Sequence, residues 1–456
     1  MLHFFDTVAA VSTPRGKGGI AVIRISGPDT RTILDRVFRG KRSPADHPRT
    51  ACFGEILDAQ GQTVDEGLAL FFPAPHSFTG EDVAELSCHG GALLTETVLT
   101  AVLSAGARAA TAGEFTRRAL LNGKMSLSGA EALGALLDAT TTGQMTLARG
   151  GMSGRLSAAV GQHFDRLSLL LADAFAKIDF PDEDLNTLTR EEFTAAIGEV
   201  EASIRTLLST YRTGHAVAEG IATVICGPVN AGKSTLYNAL VGREAAIVTD
   251  VAGTTRDVLC ETVALGNVTL RLFDTAGLRE TADTVESIGI ERARSTMREA
   301  ELILCVLDAT APFDGEAEAL LNDLESLAAP VILLLNKWEG DMTFPEERLQ
   351  KFQHVLHISA KNGDVAALRE RVEALYLADG LSLREDAVVA NARQHAALSR
   401  AADALAITLD SLRADVPLDA ACTDAELALQ ALGEVDGRAV DEAIISSIFS
   451  HFCVGK

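Results

Sequence analysis

Gly227-Pro228-Val229-Asn230-Ala231-Gly232-Lys233-Ser234 decides how this chain is read. The octapeptide follows a short apolar run, residues 222–226, and precedes a segment, 235–240, that reads as helix. Strand, glycine-rich loop and helix in that order are what a phosphate-binding loop requires. The two inner glycines let the backbone curl so that successive N–H groups face phosphate oxygens. Lys233 reaches the β and γ phosphates, and Ser234 offers a hydroxyl to Mg²⁺.

The segments downstream indicate which nucleotide is bound. Residues 268–273 form a buried-strand pattern that runs into Asp274-Thr275-Ala276-Gly277, where a carboxylate can hold Mg²⁺ through water and the Gly277 N–H can sense the γ phosphate. Two further apolar strands, 302–307 and 331–335, follow. The second leads into Asn336-Lys337-Trp338-Glu339, and a last run ends near Ser359-Ala360-Lys361. Taken in order, these motifs resemble the GTPase family, and Asn336 with the Ser-Ala-Lys loop points to GTP rather than ATP. The expected GTP contacts are Asn230, Ala231, Gly232, Lys233, Ser234 and Thr235, with Asp274, Thr275, Ala276 and Gly277. Asn336, Lys337, Glu339, Ser359, Ala360 and Lys361 complete the base side.

One position departs from the GTPase pattern. The family carries Asp where this chain has Glu339, with Asp341 two residues on. The extra methylene moves the acceptor by about one C–C bond, so either guanine selectivity weakens or Glu339 bends to fit. Leu278 also follows Asp-Thr-Ala-Gly where small GTPases place a water-orienting Gln, so another group must take that role. Two candidates are legible: Asn230, and the acidic stretch 279–286. Asn230 either ligates a monovalent cation together with backbone carbonyls from 249–254 or simply tightens the loop. The stretch 250–257 is the expected first switch; with Thr249 before it, it contributes Asp250, Val251, Ala252, Gly253, Thr254 and Thr255 to the nucleotide, with Thr255 the second Mg²⁺ ligand.

The flanking sequence narrows the family. The first segment holds Gly16-Lys-Gly-Gly-Ile-Ala-Val-Ile-Arg24-Ile-Ser-Gly27, then Ser77-Phe-Thr-Gly-Glu-Asp-Val-Ala-Glu85-Leu, His89-Gly-Gly91, Gly113-Glu-Phe-Thr-Arg117 and Leu121-Asn-Gly-Lys124. The chain closes on Phe452-Cys453-Val454-Gly455-Lys456. With a GTPase core inserted between helical stretches, the chain resembles the MnmE (TrmE) family of tRNA-modification GTPases from end to end. The resemblance implies a multidomain α/β plus all-α protein. Its parts would be an α+β tetrahydrofolate-binding and dimerisation domain (1–124), a discontinuous helical domain (125–215 and 379–456) and an inserted Ras-like GTPase domain (216–378).

The resemblance also implies cofactors, partners and residue roles. Arg24, Glu85, Lys124 and Lys456 match folate-contacting positions, for 5-formyltetrahydrofolate or a related tetrahydrofolate. Asn230, Thr249, Val251 and Thr254 match a K⁺ site, and Ser234 and Thr255 match the Mg²⁺ ligands. Glu286 matches the residue that orients the attacking water; Asp274 and Cys453 complete the expected catalytic set. Members act as homodimers with a flavoprotein, MnmG (GidA), in an expected heterotetramer. Together they build a carboxymethylaminomethyl group on C5 of the wobble uridine of certain tRNAs. In chemical terms, Arg24 and Lys124 are cations suited to a folate's glutamate tail, and Glu85 is an acceptor for a pterin's amino-pyrimidine edge. Cys453 is suited to act as nucleophile, redox group or structural contact.

Composition agrees. The 456 residues suit about three domains, and 47% hydrophobic residues supply several cores. The apolar runs fall short of the roughly 18 residues of a membrane span, and the first residues lack a basic start with a long apolar stretch. Seven cysteines form neither a disulfide framework nor a zinc pattern, so a reducing, cytoplasmic setting is expected. The formal charge of −23 repels a polyanion at long range, so a basic partner is expected to supply much of the tRNA affinity. The main rival reading is a GTP-dependent switch in ribosome assembly, which would carry a basic RNA-binding appendage. A second is a one-carbon transferase with a regulatory GTPase.

Overall fold

The computed structural model describes residues 6–14, 16–180, 187–244, 261–273, 297–337, 345–363, 365–438, 442–450 and 452–455. The chain divides into two compact units, residues 1–134 with 430–456, and residues 135–429.

Alternating apolar residues build the first unit. In β2 (Ile20–Ser26), Ala21, Ile23 and Ile25 point to one face; in β6 (Val83–His89), Ala84, Leu86 and Cys88 do the same. That face is covered by α1 (Thr30–Val37) through Ile33, Leu34 and Val37, and by α2 (Ala92–Ser104) through Val98 and Val102. The sheet has seven strands among the described residues. It adds β1 (Val8–Val11), β3 (Phe38–Gly40), β4 (Cys52–Leu57), β5 (Thr63–Phe72) and β7 (Arg108–Ala109), in the order β3-β4-β5-β6-β2-β1-β7. All neighbours are antiparallel except β1 and β7. Since a strand's side chains alternate, residues such as Arg24 and Glu85 lie on the face opposite the two helices.

The end of the chain returns to this unit. Phe449 and Ile445 of the helix Glu442–Ser450 pack with Ala130, Leu120, Met125 and Phe452. Val454 bridges to Ala112, the Cys453 carbonyl accepts from Gly113 N at 3.4 Å, and Ser12 Oγ donates to Gly455 O at 3.1 Å. Gly455 has φ +102, and a Cβ there would come within 2.3 Å of Val11 O, so only glycine fits this seat. Residues 125–134 and 430–456, which the sequence reading places with the helical stretches, thus lie in the compact unit of the amino-terminal sheet.

The second unit combines long helices with a doubly wound sheet. Its helices are Thr142–Met152, Arg155–Asp179, Arg190–Ser209 and Tyr211–Ala218 before the sheet, and Ala392–Arg413 after it. The long helix ends at Asp179, and a new one starts at Arg190 behind a Thr189–Glu192 capping box. The helix after the sheet begins at Ala392, with Asn391 accepting from Gln394 N as cap.

The sheet has six strands among the described residues: β8 (Ile221–Cys226), β9 (Glu261–Leu265), β10 (Val268–Phe273), β11 (Leu302–Asp308), β12 (Val331–Asn336) and β13 (His354–His357). Their order is β13-β12-β11-β8-β10-β9, parallel except for the β9–β10 hairpin. The near-continuous apolar runs of β11 and β12 follow from burial on both faces. Among the described residues no helix is long and apolar enough to cross a membrane.

Candidate functional site

The nucleotide motifs among the described residues gather at the carboxyl ends of the parallel strands, where open α/β sheets place ligands. β8 delivers Gly227, and the helix Lys233–Glu244 begins directly at Lys233. Gly227 (φ +143) lies so close to β11 that a Cβ would meet Val306 O at 2.0 Å. Gly232 (φ +103) is equally constrained: its Cβ would meet the Asn336 amide nitrogen at 2.1 Å. Asn230 itself is left-handed at φ +61, strain that a non-glycine residue carries only where the surroundings enforce it.

Lys233 Nζ donates to Gly227 O at 2.7 Å and to Pro228 O at 2.8 Å, which pins the ammonium across the loop. Burial lowers its pKa from the ordinary lysine value, so a partly desolvated cation sits inside the loop. This donor set, a lysine, a helix start and Ser234, fits phosphate oxygens and a Mg²⁺ ion.

Asn336 ties the site together. Its side chain is buried, with Nδ2 donating to Ala231 O at 2.9 Å and Oδ1 accepting from Ala360 N at 3.0 Å. One amide therefore locks the phosphate loop to the Ser359-Ala360-Lys361 loop, 105 and 24 residues away in sequence. Lys337, also left-handed at φ +61, donates to Asn230 O at 3.0 Å and to Asp308 Oδ2 at 2.5 Å. Asp308 is a residue that motif reading missed. Its position at the carboxyl end of an apolar strand was the available signal. Burial pushes its carboxyl up, but the bonds from Lys337 and Thr310 outweigh this and hold it below the usual range. Thr235 and Ser234 are exposed on the first turn of the helix.

The structure thus assembles Asn230, Ala231, Gly232, Lys233, Ser234, Thr235, Asn336, Lys337, Ser359, Ala360 and Lys361 in the second unit. Thr249, Asp250, Val251, Ala252, Gly253, Thr254, Thr255, Asp274, Thr275, Ala276, Gly277, Leu278, Glu286, Glu339 and Lys456 lie outside the described residues.

In the first unit, Arg24 and Glu85 are register partners on β2 and β6. Arg24 Nε and Nη2 both bond Glu85 Oε1, at 3.0 and 2.8 Å, so the expected folate cation and acceptor first pair with each other. The Arg24 guanidinium also lies 5.5 Å from the Phe78 ring centre and 5.8 Å from that of Phe115. Lys124 packs its stem on Gly80 and donates to Pro75 O at 2.9 Å. Cys453 is exposed, its backbone fixed beside Gly113. A mostly buried ion pair set against the Phe78 and Phe115 rings is a donor and acceptor set that fits a planar, polar heterocycle.

Beneath it lies a network that the motifs did not reveal. Arg118, the neighbour of the quoted Arg117, is fully buried and reaches Asp6 (2.8 Å), Glu81 (3.2 Å) and Glu114 (3.0 Å). Glu114 is buried as well; burial raises its pKa, and bonds from Arg108, Thr111 N and Arg118 reverse that and bring it to about 2. Ser26 Oγ donates to Glu81, and Asn122 Nδ2 donates to Thr79 O at 2.8 Å, so the 77–82 loop is clamped onto helix Glu114–Leu121.

The GTP-binding protein TrmE N-terminus model matches residues 7–124, and the MnmE helical domain model matches residues 127–453. The tRNA modification GTPase MnmE of Bacillus velezensis is 39% identical over 460 residues, spanning 99% of this chain and 100% of that protein. That of Symbiobacterium thermophilum is 40% identical over 457 residues, with 99% of each chain covered. The protein of the same name from Bacillus subtilis is 38% identical over 460 residues, again across 99% of this chain and 100% of that one. With a helical-domain model over most of its length, an amino-terminal model over the rest of the first unit and full-length relatives at these identities, the chain belongs to the MnmE family of tRNA modification GTPases.

Proposed function

We propose that this chain hydrolyses GTP and couples the hydrolysis to modification of the wobble uridine of tRNA, acting as a homodimer with a flavoprotein of the MnmG type. The carrying observation is the Asn336 tie, which joins the phosphate loop and the Ser-Ala-Lys loop into one guanine-nucleotide site within a chain of MnmE type. Lys233 draws charge toward the β and γ oxygens, and the loop N–H groups hold them in place. Ser234 and Thr255 would hold Mg²⁺, which neutralises charge between the phosphates; Asn230, Thr249, Val251 and Thr254 would hold K⁺, which takes the place of an arginine finger. With Leu278 where a glutamine usually stands, Glu286 is the group assigned to orient water.

Arg24, Glu85 and Lys124, together with Lys456, form the proposed folate subsite, for 5-formyltetrahydrofolate or a relative. The net charge of −23 supports a basic partner as the main source of tRNA affinity.

Nucleoside mass spectrometry of total tRNA from cells with and without the chain tests the proposal. Loss of the aminomethyl-type C5 substituent on deletion is expected, restored by wild type and not by Asp274→Ala or Cys453→Ser. Unchanged tRNA together with altered ribosome profiles would overturn it in favour of a ribosome-assembly switch.

A further inference from the structure

Two cysteines that none of the nucleotide motifs use sit immediately under the phosphate loop. Cys226 is the last residue of β8, directly before Gly227, and Cys305 lies on the neighbouring parallel strand β11. The two are register partners, so their side chains project to the same side of the sheet, and both belong to one core cluster with Ile303, Leu307 and Leu333. Adjacent strands stand about 4.8 Å apart, inside the Cα range that a disulfide spans. Cys226 is half-buried while Cys305 has no exposed surface, which gives the pair one sulfur that a small reagent can reach and one behind it.

We propose that Cys226 and Cys305 are a covalent modification site, a dithiol that small hydroperoxides oxidise to a disulfide, and that this closure disables the phosphate loop. In the first step the Cys226 sulfur attacks the peroxide O–O bond, giving the sulfenic acid and one water. The Cys305 sulfur then attacks the Cys226 sulfur, the S–O bond breaks, and the Cys305 proton leaves with the oxygen as a second water. Two thiols and one hydrogen peroxide thus become one disulfide and two waters.

The Cys226 thiol and burial together hold the Cys305 thiol well above its ordinary range, with Lys233 acting the other way. Cys305 therefore stays protonated until Cys226 is oxidised, which makes it a resolving thiol rather than a primary target.

The consequence for the loop is geometric. Closing the bond requires the Cβ atoms to approach to about 3.8 Å, which draws the end of β8 toward β11. Gly227 has no room to follow, because even a Cβ at that position would meet Val306 O at 2.0 Å. The Gly227 carbonyl is also one of the two acceptors that pin Lys233, at 2.7 Å, so displacing it moves the ammonium that faces phosphate. This consequence rests on the loop being the nucleotide site; the bond itself does not.

The full chain would be treated with hydrogen peroxide, alkylated and mapped by mass spectrometry, with GTP affinity measured alongside on wild type, Cys226→Ala and Cys305→Ala, each checked by thermal melting. A 226–305 linked peptide is expected in wild type, with GTP affinity at least tenfold weaker, restored by dithiothreitol. Neither variant is expected to lose affinity on oxidation. Absence of the linked peptide overturns the site, and a linked peptide with unchanged affinity overturns the switch. An equal loss in the Cys226→Ala protein would assign the sensitivity to another cysteine and overturn the switch, and an equal loss in Cys305→Ala alone would assign it to oxidation of Cys226 without the disulfide and overturn the switch as well. A reduced wild type that binds no GTP would instead count against the proposed function and leave the peptide map to decide the dithiol.

Discussion

Replacing Asn336 by alanine isolates the tie between the two nucleotide loops. The side chain is 3% exposed, and its removal strands the Ala231 carbonyl and the Ala360 N–H, which it now satisfies at 2.9 and 3.0 Å. An orphaned buried group costs about 1–3 kcal/mol, and the space left beside Gly232 admits some water, so the two together cost about 2–4 kcal/mol. If both loops are held in their binding geometry by this amide, GTP affinity falls by roughly 30- to 1,000-fold. Asn336→Asp sharpens the test. The aspartate keeps an acceptor for Ala360 N but turns the Nδ2 donor into an oxygen facing Ala231 O, so it should lose at least as much as alanine. Titration of a fluorescent GTP analogue reads the affinity, and thermal melting reads the fold. Binding by both variants within about threefold of wild type, in folded protein, would refute the idea that one buried amide sets the shape of both loops.

Four other outcomes follow from the surroundings of single residues. His215 accepts a place between Glu301 (3.1 Å) and Glu219 (3.5 Å), and the hydrogen bond to Glu301 raises its pKa above 6.5. Its contribution to stability is complete below that value and is lost as pH rises through the raised one, so the melting temperature should fall as pH rises above 6.5, and His215→Gln should flatten that slope. Arg118→Met removes the buried guanidinium that joins Asp6, Glu81 and Glu114 and leaves Glu114 to Arg108 and Thr111 alone, which costs at most about 3–5 kcal/mol and lowers the first unit's melting temperature by up to on the order of 10 °C; calorimetry showing no shift would contradict the network's role. Because Glu114 is held at about 2, its share of that stability is present above pH 4.5 and drains away as pH falls toward 2. Gly455→Ala drives a Cβ into Val11 O and should lift the tail, seen as faster carboxypeptidase trimming at the Cys453 end; an unchanged rate would mean that the seat tolerates a side chain.

The nucleotide half of the molecule was legible because its chemistry is local in sequence. A loop of eight residues and a strand ending in Asn336 carry their function in short motifs whose spacing follows from one strand feeding one loop. The strands read at 268–273, 302–307 and 331–335 appear as Val268–Phe273, Leu302–Asp308 and Val331–Asn336. The amino-terminal half was less legible because its chemistry is built by register. Nothing local says that Arg24 faces Glu85, 61 residues away, or that Arg118 rather than Arg117 is the buried member of its pair. Burial of an arginine depends on three carboxylates arriving from Asp6, Glu81 and Glu114, which only the folded topology determines. The helices at the far end gave no hint of their destination either, since an amphipathic pattern states that a face is covered and not by what.

The seat of the tail has a consequence in time. Ser12 and Gly455 are partners across 443 positions, and between them the chain must produce a complete second unit. At about 5–20 residues per second, Ser12 waits roughly 20–90 s during synthesis before Gly455 exists. For that interval the seat at Val11 and Ser12 lies uncovered by the tail. The sheet's other strands and both covering helices are already synthesised by then, so the final docking is a late zipping step whose speed is set by loop closure over the inserted unit rather than by strand formation.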